Sequence, residues 1–164
     1  LLDFVDGQMV DWSVRPNQLM AIALDFSPLD MKERKGVLDI CTKELVTPKG
    51  IRSLSPNSGG YNPMYVGPQT QRDLAYHQGT AWPWLTGFYL EAYLRVYKMS
   101  GVNYIERKLI GFEEELFYHC VGTIPELFDG NPPFSGRGAI SFAMNVSGIL
   151  RALRVLEKYN KAME

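Results

Sequence analysis

RDLAYHQGTAWPWL, Arg72 to Leu85, runs directly into TGFYLEAYLRVY, Thr86 to Tyr97. The second segment sets the expected fold class. Leu85, Phe88, Tyr89, Ala92, Leu94 and Val96 recur at helical spacing as a broad apolar face; Pro83 suits a first helical turn and Ser100-Gly101 ends the pattern. The first segment sets the expected chemistry. It brings Arg, Asp, Tyr, His, Gln and two Trp side chains together immediately before that helix. Sugar hydroxyls need planar hydrogen-bonding partners and a pyranose face needs a flat apolar ring, so this stretch is a candidate carbohydrate site.

Outward from it, apolar spacing and breakers predict about five helices, over 16–24, 30–46, 80–99, 103–120 and 139–159. The second carries Val37, Leu38, Cys41 and Leu45 on one stripe. The fourth carries Tyr104, Ile105, Leu109, Phe112, Leu116 and Phe117, with Glu113 to Glu115 turned mostly to water. The fifth carries Ile140, Met144, Val146, Ile149, Leu150, Leu153 and Leu156. Strand content is expected to be small, with brief pairing around Ile51 to Leu54. Short links join helices one to two and three to four, whereas the links over 47–79 and 121–138 are long. Loops beyond about 12 to 15 residues are usually functional. Successive antiparallel hairpins give helices one, three and five a common direction, so Arg15 to Gln18, Arg72 to Trp84 and Pro125 to Arg137 are expected on one rim.

Size and composition restrict the alternatives. The 164 residues are enough for one domain with a real core, and 46% apolar with 21% charged residues is ordinary globular composition. A formal charge of −1 argues against nucleic acid as partner. No apolar run approaches the roughly 18 residues needed to span a bilayer, so no membrane partner is expected. Cys41 and Cys120 read as buried small hydrophobes rather than a bridge. With His77 and His119 outside any CxxC or HExxH spacing, no metal site is expected. The beginning, Leu1-Leu2-Asp3, has no signal-like character and reads as cut from a longer chain.

Each candidate side chain has a structural alternative. Glu126 lies in IPELFDGNPPFSGRG, where Pro and Gly fix a rigid loop; it is either an acid or base for glycoside hydrolysis or a turn cap, with Asp129-Gly130 the more structural pair. Arg72 and Asp73 either grip hydroxyls or form a surface ion pair contributing under about 1 kcal/mol. Tyr76, His77 and Gln78 are expected to meet sugar hydroxyls. Trp82 and Trp84, two apart on a helical start, face in different directions, and Trp82 is the expected exposed platform. Arg15, Asn17 and Gln18 read either as a cap cluster or as part of the rim. The Ser53 to Pro68 segment, with Tyr61 and Tyr65, is either a lid or a surface excursion.

RPNQLMAIALDFSPLD (Arg15 to Asp30), KELVTPKGIRSLSP (Lys43 to Pro56), RDLAYHQGTAWPWL and PELFDG, in this order, resemble the C-terminal glucosidase domain of glycogen debranching enzymes, the amylo-α-1,6-glucosidase family. The resemblance extends from about Asp6 to Arg154 and implies an all-α fold, part of an (α/α)6 toroid, with residues 1–164 the C-terminal half of one catalytic domain. It implies hydrolysis of α-1,6-linked glucose with inversion. Glu126 matches the general base; Arg15, Asn17, Gln18, Arg72, Asp73, Tyr76, His77, Gln78, Trp82 and Trp84 shape the sugar site. No cofactor is implied, water being the nucleophile. The family's general acid lies in a TWMD-like motif that this sequence lacks, so the chain alone is expected not to turn over substrate. The expected partners are a glycogen-like α-glucan, the remaining N-terminal half and, through open apolar edges, further copies of the chain; the expected compartment is the cytoplasm. A non-catalytic carbohydrate-binding module is the competing reading. One departure stands out: where the family commonly reads RGCIAQAWSVAEVLRA, this chain has RGAISFAMNVSGILRA, placing Phe142, Met144 and Gly148 at Gln, Trp and Glu positions.

Overall fold

The computed structural model describes residues 1–119 and 121–161; Cys120, and with it the reading of that cysteine as buried, lies outside them. In chain order the elements are β1 (Val5–Asp6), β2 (Met9–Val10), α1 (Asn17–Ala23), α2 (Met31–Glu44), β3 (Val46–Thr47), β4 (Gly50–Arg52), α3 (Gln69–Ala75), β5 (Ala81–Trp82), α4 (Trp84–Tyr97), α5 (Val102–Ile110), α6 (Glu115–Tyr118), β6 (Leu127–Phe128), β7 (Gly136–Arg137) and α7 (Ala143–Lys161), with a 3-10 turn over Lys98–Gly101. The expectation of an all-α partial toroid is therefore corrected: the fold mixes helices with antiparallel sheet. One hairpin pairs β1 with β2, and a five-stranded sheet runs β3-β4-β5-β6-β7.

That sheet explains the long loops. Strands β3, β4 and β5 come from the link between α2 and α4, and β6 and β7 from the link before α7; Ile51 pairs with Trp82, and Ala81 with Phe128. Backbone N–H and C=O groups in a packed loop need partners, and pairing two distant loops supplies them. Strands of two or three residues show no alternation that could be read in advance. The brief pairing expected near Ile51 is present as Gly50–Arg52.

Local chemistry sets the helix ends. Asp30 caps α2 through the Glu33 N–H at 2.8 Å, and the Glu33 carboxylate returns to the Asp30 N–H at 2.9 Å. The core gathers Leu19 and Ile22 of α1, Val37, Leu38 and Cys41 of α2, Leu85, Tyr89 and Leu94 of α4, and Ile105 of α5. Burial pushes the Cys41 thiol up to about 12, so it stays protonated and serves as packing.

Two predicted faces are corrected. The fourth predicted helix breaks after Ile110, which resets the phase: Phe117 is exposed, while Glu115 is buried and binds Lys49 at 2.5 Å and His119 at 3.2 Å. On α7 the buried positions are Asn145, Gly148, Ala152 and Leu156, whereas Met144, Leu150 and Leu153, and Ile140 ahead of the helix, are exposed. Small residues lie inside because α7 crosses α4 backbone to backbone. A Cβ on Gly148 would stand 2.5 Å from the Trp84 Cα, and one on Gly87 would overlap the Gly148 carbonyl. The departure at Gly148 thus has a steric reason: no side chain fits at this crossing.

Candidate functional site

A cleft of about 440 Å³ is lined by the polar side chains of Arg15, Asn17 and His77 and by the rings of Trp82, Trp84 and Phe142, with Tyr76 and Met144 also on its wall. The entry to α1, the turn after α3, β5, the start of α4 and the entry and first turn of α7 supply these residues, so segments more than a hundred positions apart share one wall.

The aromatic part is built edge to face. Tyr76 stands 4.7 Å from His77 and 4.8 Å from Trp82, nearly perpendicular to both, and the His77 and Trp82 rings lie 12° from parallel at 5.9 Å. Such ring pairs add about 0.5 to 1.5 kcal/mol each beyond the area they bury. Trp82 is corrected from the expected exposed platform: it is only 6% exposed. The reason is that it lies on β5 rather than on a helix, where its indole N–H donates to the Thr80 hydroxyl at 3.1 Å. Trp84, at the first residue of α4, is the more accessible ring.

Arg15 is itself held in place. Its guanidinium donates to the His77 carbonyl at 2.8 Å, the Ser53 carbonyl at 3.2 Å and the Gln78 side-chain oxygen at 2.8 Å. Gln78 therefore braces Arg15 from behind the wall. Asn17 reaches the cleft edge while its amide donates to Asp3 at 2.8 Å. Gln18 turns inward, buried, donating to the Arg15 carbonyl at 3.0 Å. Asp73 is exposed and takes part in none of the ion pairs among the described residues, so the expected Arg72–Asp73 pair does not form.

Arg72 and Glu126 belong to a second, adjoining hollow of about 510 Å³, with Tyr65, Arg137 and Gly138 around them. The Arg72 guanidinium lies over the Tyr65 ring at 5.7 Å. Tyr76 joins the two hollows: its ring is in the aromatic cleft and its hydroxyl donates to the Glu126 carboxylate. The other Glu126 oxygen accepts the Ala139 N–H at 2.8 Å. Burial raises the Tyr76 hydroxyl well above the ordinary tyrosine range, and the neighbouring Glu126 adds to the rise, so Tyr76 is a donor at any physiological pH. A carboxylate accepting these two bonds keeps lone-pair capacity for a water on its open side.

Around this pair the loops are cross-braced. Asp129, fully buried, accepts the Arg137 Nε–H at 2.9 Å, pairs with that guanidinium's Nη2 at 2.9 Å, and accepts the Tyr65 N–H at 2.8 Å. Tyr61 donates to Asn131 at 2.9 Å, and the Gly130 N–H to the Pro63 carbonyl at 2.8 Å. The Ser53 to Pro68 segment is thus fastened to the loop that carries Glu126. Phe142 and Met144 were not among the expected site residues; they reach the cleft from the residue before α7 and from its first turn, and the only sequence sign was their departure from the family pattern.

A family model described as amylo-alpha-1,6-glucosidase matches residues 1–151. The glycogen debranching enzyme of Saccharomyces cerevisiae is 33% identical over 91 residues, which is 51% of this chain and 6% of that protein. The chain therefore spans only a small part of that relative's length.

Proposed function

Since this chain belongs to the amylo-alpha-1,6-glucosidase family, we propose that it supplies the water-activating side of a site that releases α-1,6-linked glucose from a glycogen-like α-glucan, Glu126 being the general base. The observation that carries this reading is the Tyr76 bridge, which ties the carboxylate of Glu126 to a cleft walled by His77, Trp82 and Trp84. Glucose would lie against the aromatic wall with its hydroxyls toward Arg15 and Asn17. Glu126 takes a proton from water as the water oxygen bonds to the anomeric carbon; the glycosidic bond breaks on the opposite face, and its oxygen receives a proton from an acid. The anomeric centre inverts. Such enzymes hold the two carboxyl groups about 6.5 to 9.5 Å apart. Among the described residues Glu126 is the one carboxylate lining either hollow, so the acid is assigned to a group beyond these residues.

A second reading, a glucan-binding surface without turnover, is favoured by the same single carboxylate and by the donors already on both Glu126 oxygens. Glucose release from a branched limit dextrin by the full-length gene product, with and without Glu126→Gln, separates the two. Release that Glu126→Gln abolishes supports the glucosidase; glucan binding without release supports the binding surface. Release unaffected by the substitution removes Glu126 from the mechanism.

A further inference from the structure

We propose that Asn145 is the positioning residue for Glu126, setting the place of its carboxyl group relative to the aromatic wall through the backbone. The proposal rests on the glucosidase reading above but concerns a side chain that touches neither hollow.

Asn145 lies in the first turn of α7 and is fully buried. Its Nδ2 donates to the Pro125 carbonyl at 2.5 Å and to the Glu126 carbonyl at 2.7 Å, while its Oδ1 accepts the Trp84 N–H at 3.0 Å. A carboxamide offers two donors and an acceptor without charge, and all three functions are used here. The Trp84 N–H, at the first residue of α4, has no acceptor within its own helix. Nearby bonds act in the same sense. The Phe142 N–H binds the Ile124 carbonyl at 3.0 Å, and the Glu126 N–H binds the Ala139 carbonyl at 2.8 Å. Three consecutive carbonyls, of Ile124, Pro125 and Glu126, are therefore held by Phe142 and by Asn145 in the first turn of α7. The Glu126 peptide cannot rotate without breaking an Asn145 bond. Through the same side chain that peptide is tied to the residue whose ring faces the sugar cleft. No contact of Asn145 reaches the carboxyl group itself, so its influence is on position alone.

Asn145→Asp keeps the acceptor for Trp84 and removes both donors; Asn145→Ala removes all three functions. The full-length gene product is assayed for glucose release from a branched limit dextrin. Since small misplacements of a reacting group cost on the order of 100-fold, both variants are expected to lower kcat by about that factor with KM changed less than about twofold. In a Glu126→Gln background, Asn145→Ala is expected to change the residual rate by less than about twofold, because the group it positions is gone. Equal losses in both backgrounds, or a rise in KM matching the fall in kcat, would overturn the proposal. Wild-type kcat in Asn145→Ala beside an inactive Glu126→Gln sinks this inference and leaves the glucosidase reading standing. Wild-type kcat in Glu126→Gln defeats both. Should neither Asn145 variant give a native near-ultraviolet circular dichroism spectrum, Asn145 is a folding residue and the proposal fails.

Discussion

Glu126 and Asp129 stand three residues apart in one loop, yet their carboxyl groups meet opposite surroundings. Asp129 has no exposure; both its oxygens are taken by Arg137 and by the Tyr65 N–H. Glu126 is partly open to a hollow and is held by one hydroxyl and one backbone N–H. A carboxyl group enclosed by fixed donors braces loops against one another. One that keeps an open side beside a cavity can exchange a proton with water. The same residue chemistry thus divides into scaffold and candidate base by enclosure.

The sharpest way to break this comparison is Glu126→Gln. It is expected to lower glucose release by the full-length gene product about 1,000-fold while moving Tm by less than about 2 °C, because general base catalysis is lost and no buried ion pair is. A large fall in Tm would make Glu126 scaffolding too. Asp129→Ala should do the reverse. It strands Arg137 and the Tyr65 N–H, and with Arg137 partly reaching water the cost is about 3 kcal/mol, or near 10 °C in Tm. A loss under about 1 kcal/mol in thermal denaturation would erase the contrast.

Gly148→Ala tests the support beneath Glu126 rather than the loop itself. The added Cβ would stand 2.5 Å from the Trp84 Cα and carbonyl oxygen, and overpacking of this kind costs about 2 kcal/mol. Unchanged stability in chemical denaturation would mean that α4 and α7 separate freely.

The smallest effect is expected from Tyr76→Phe, which keeps the ring and removes the donor to Glu126. A fall in kcat of about tenfold at constant KM is expected for loss of one charge-assisted hydrogen bond. Its pH signature has a definite sign. The folded chain retains the Tyr76 proton after the unfolded chain has released it, so this contribution is intact below about pH 10 and lost as pH rises further. The variant should therefore lose stability less steeply than wild type above that pH. An identical alkaline slope in denaturant midpoints would mean that neither burial nor Glu126 holds the Tyr76 proton.

The position of α1, α2 and α4 was legible in the chain because helical apolar spacing and caps are local. The stripe of Val37, Leu38, Cys41 and Leu45 is buried throughout. Of the side chains expected at the site, Arg15, Asn17, Tyr76, His77, Trp82 and Trp84 border one cleft, while Gln18, Asp73 and Gln78 do not. Gln18 and Gln78 each serve Arg15 instead, and the Gln78 bond depends on how two distant segments meet.

What the sequence by itself determined is the family and the positions of α1, α2 and α4. Only the tertiary structure decided that the long loops form a sheet, that Trp82 is walled in, that Glu115 is buried and that α7 turns its small residues inward. It also decided that Tyr76 spans two hollows. Helical periodicity is written within a few neighbouring residues, but strand pairs this short, and the face a helix buries, are fixed by partners tens of residues away.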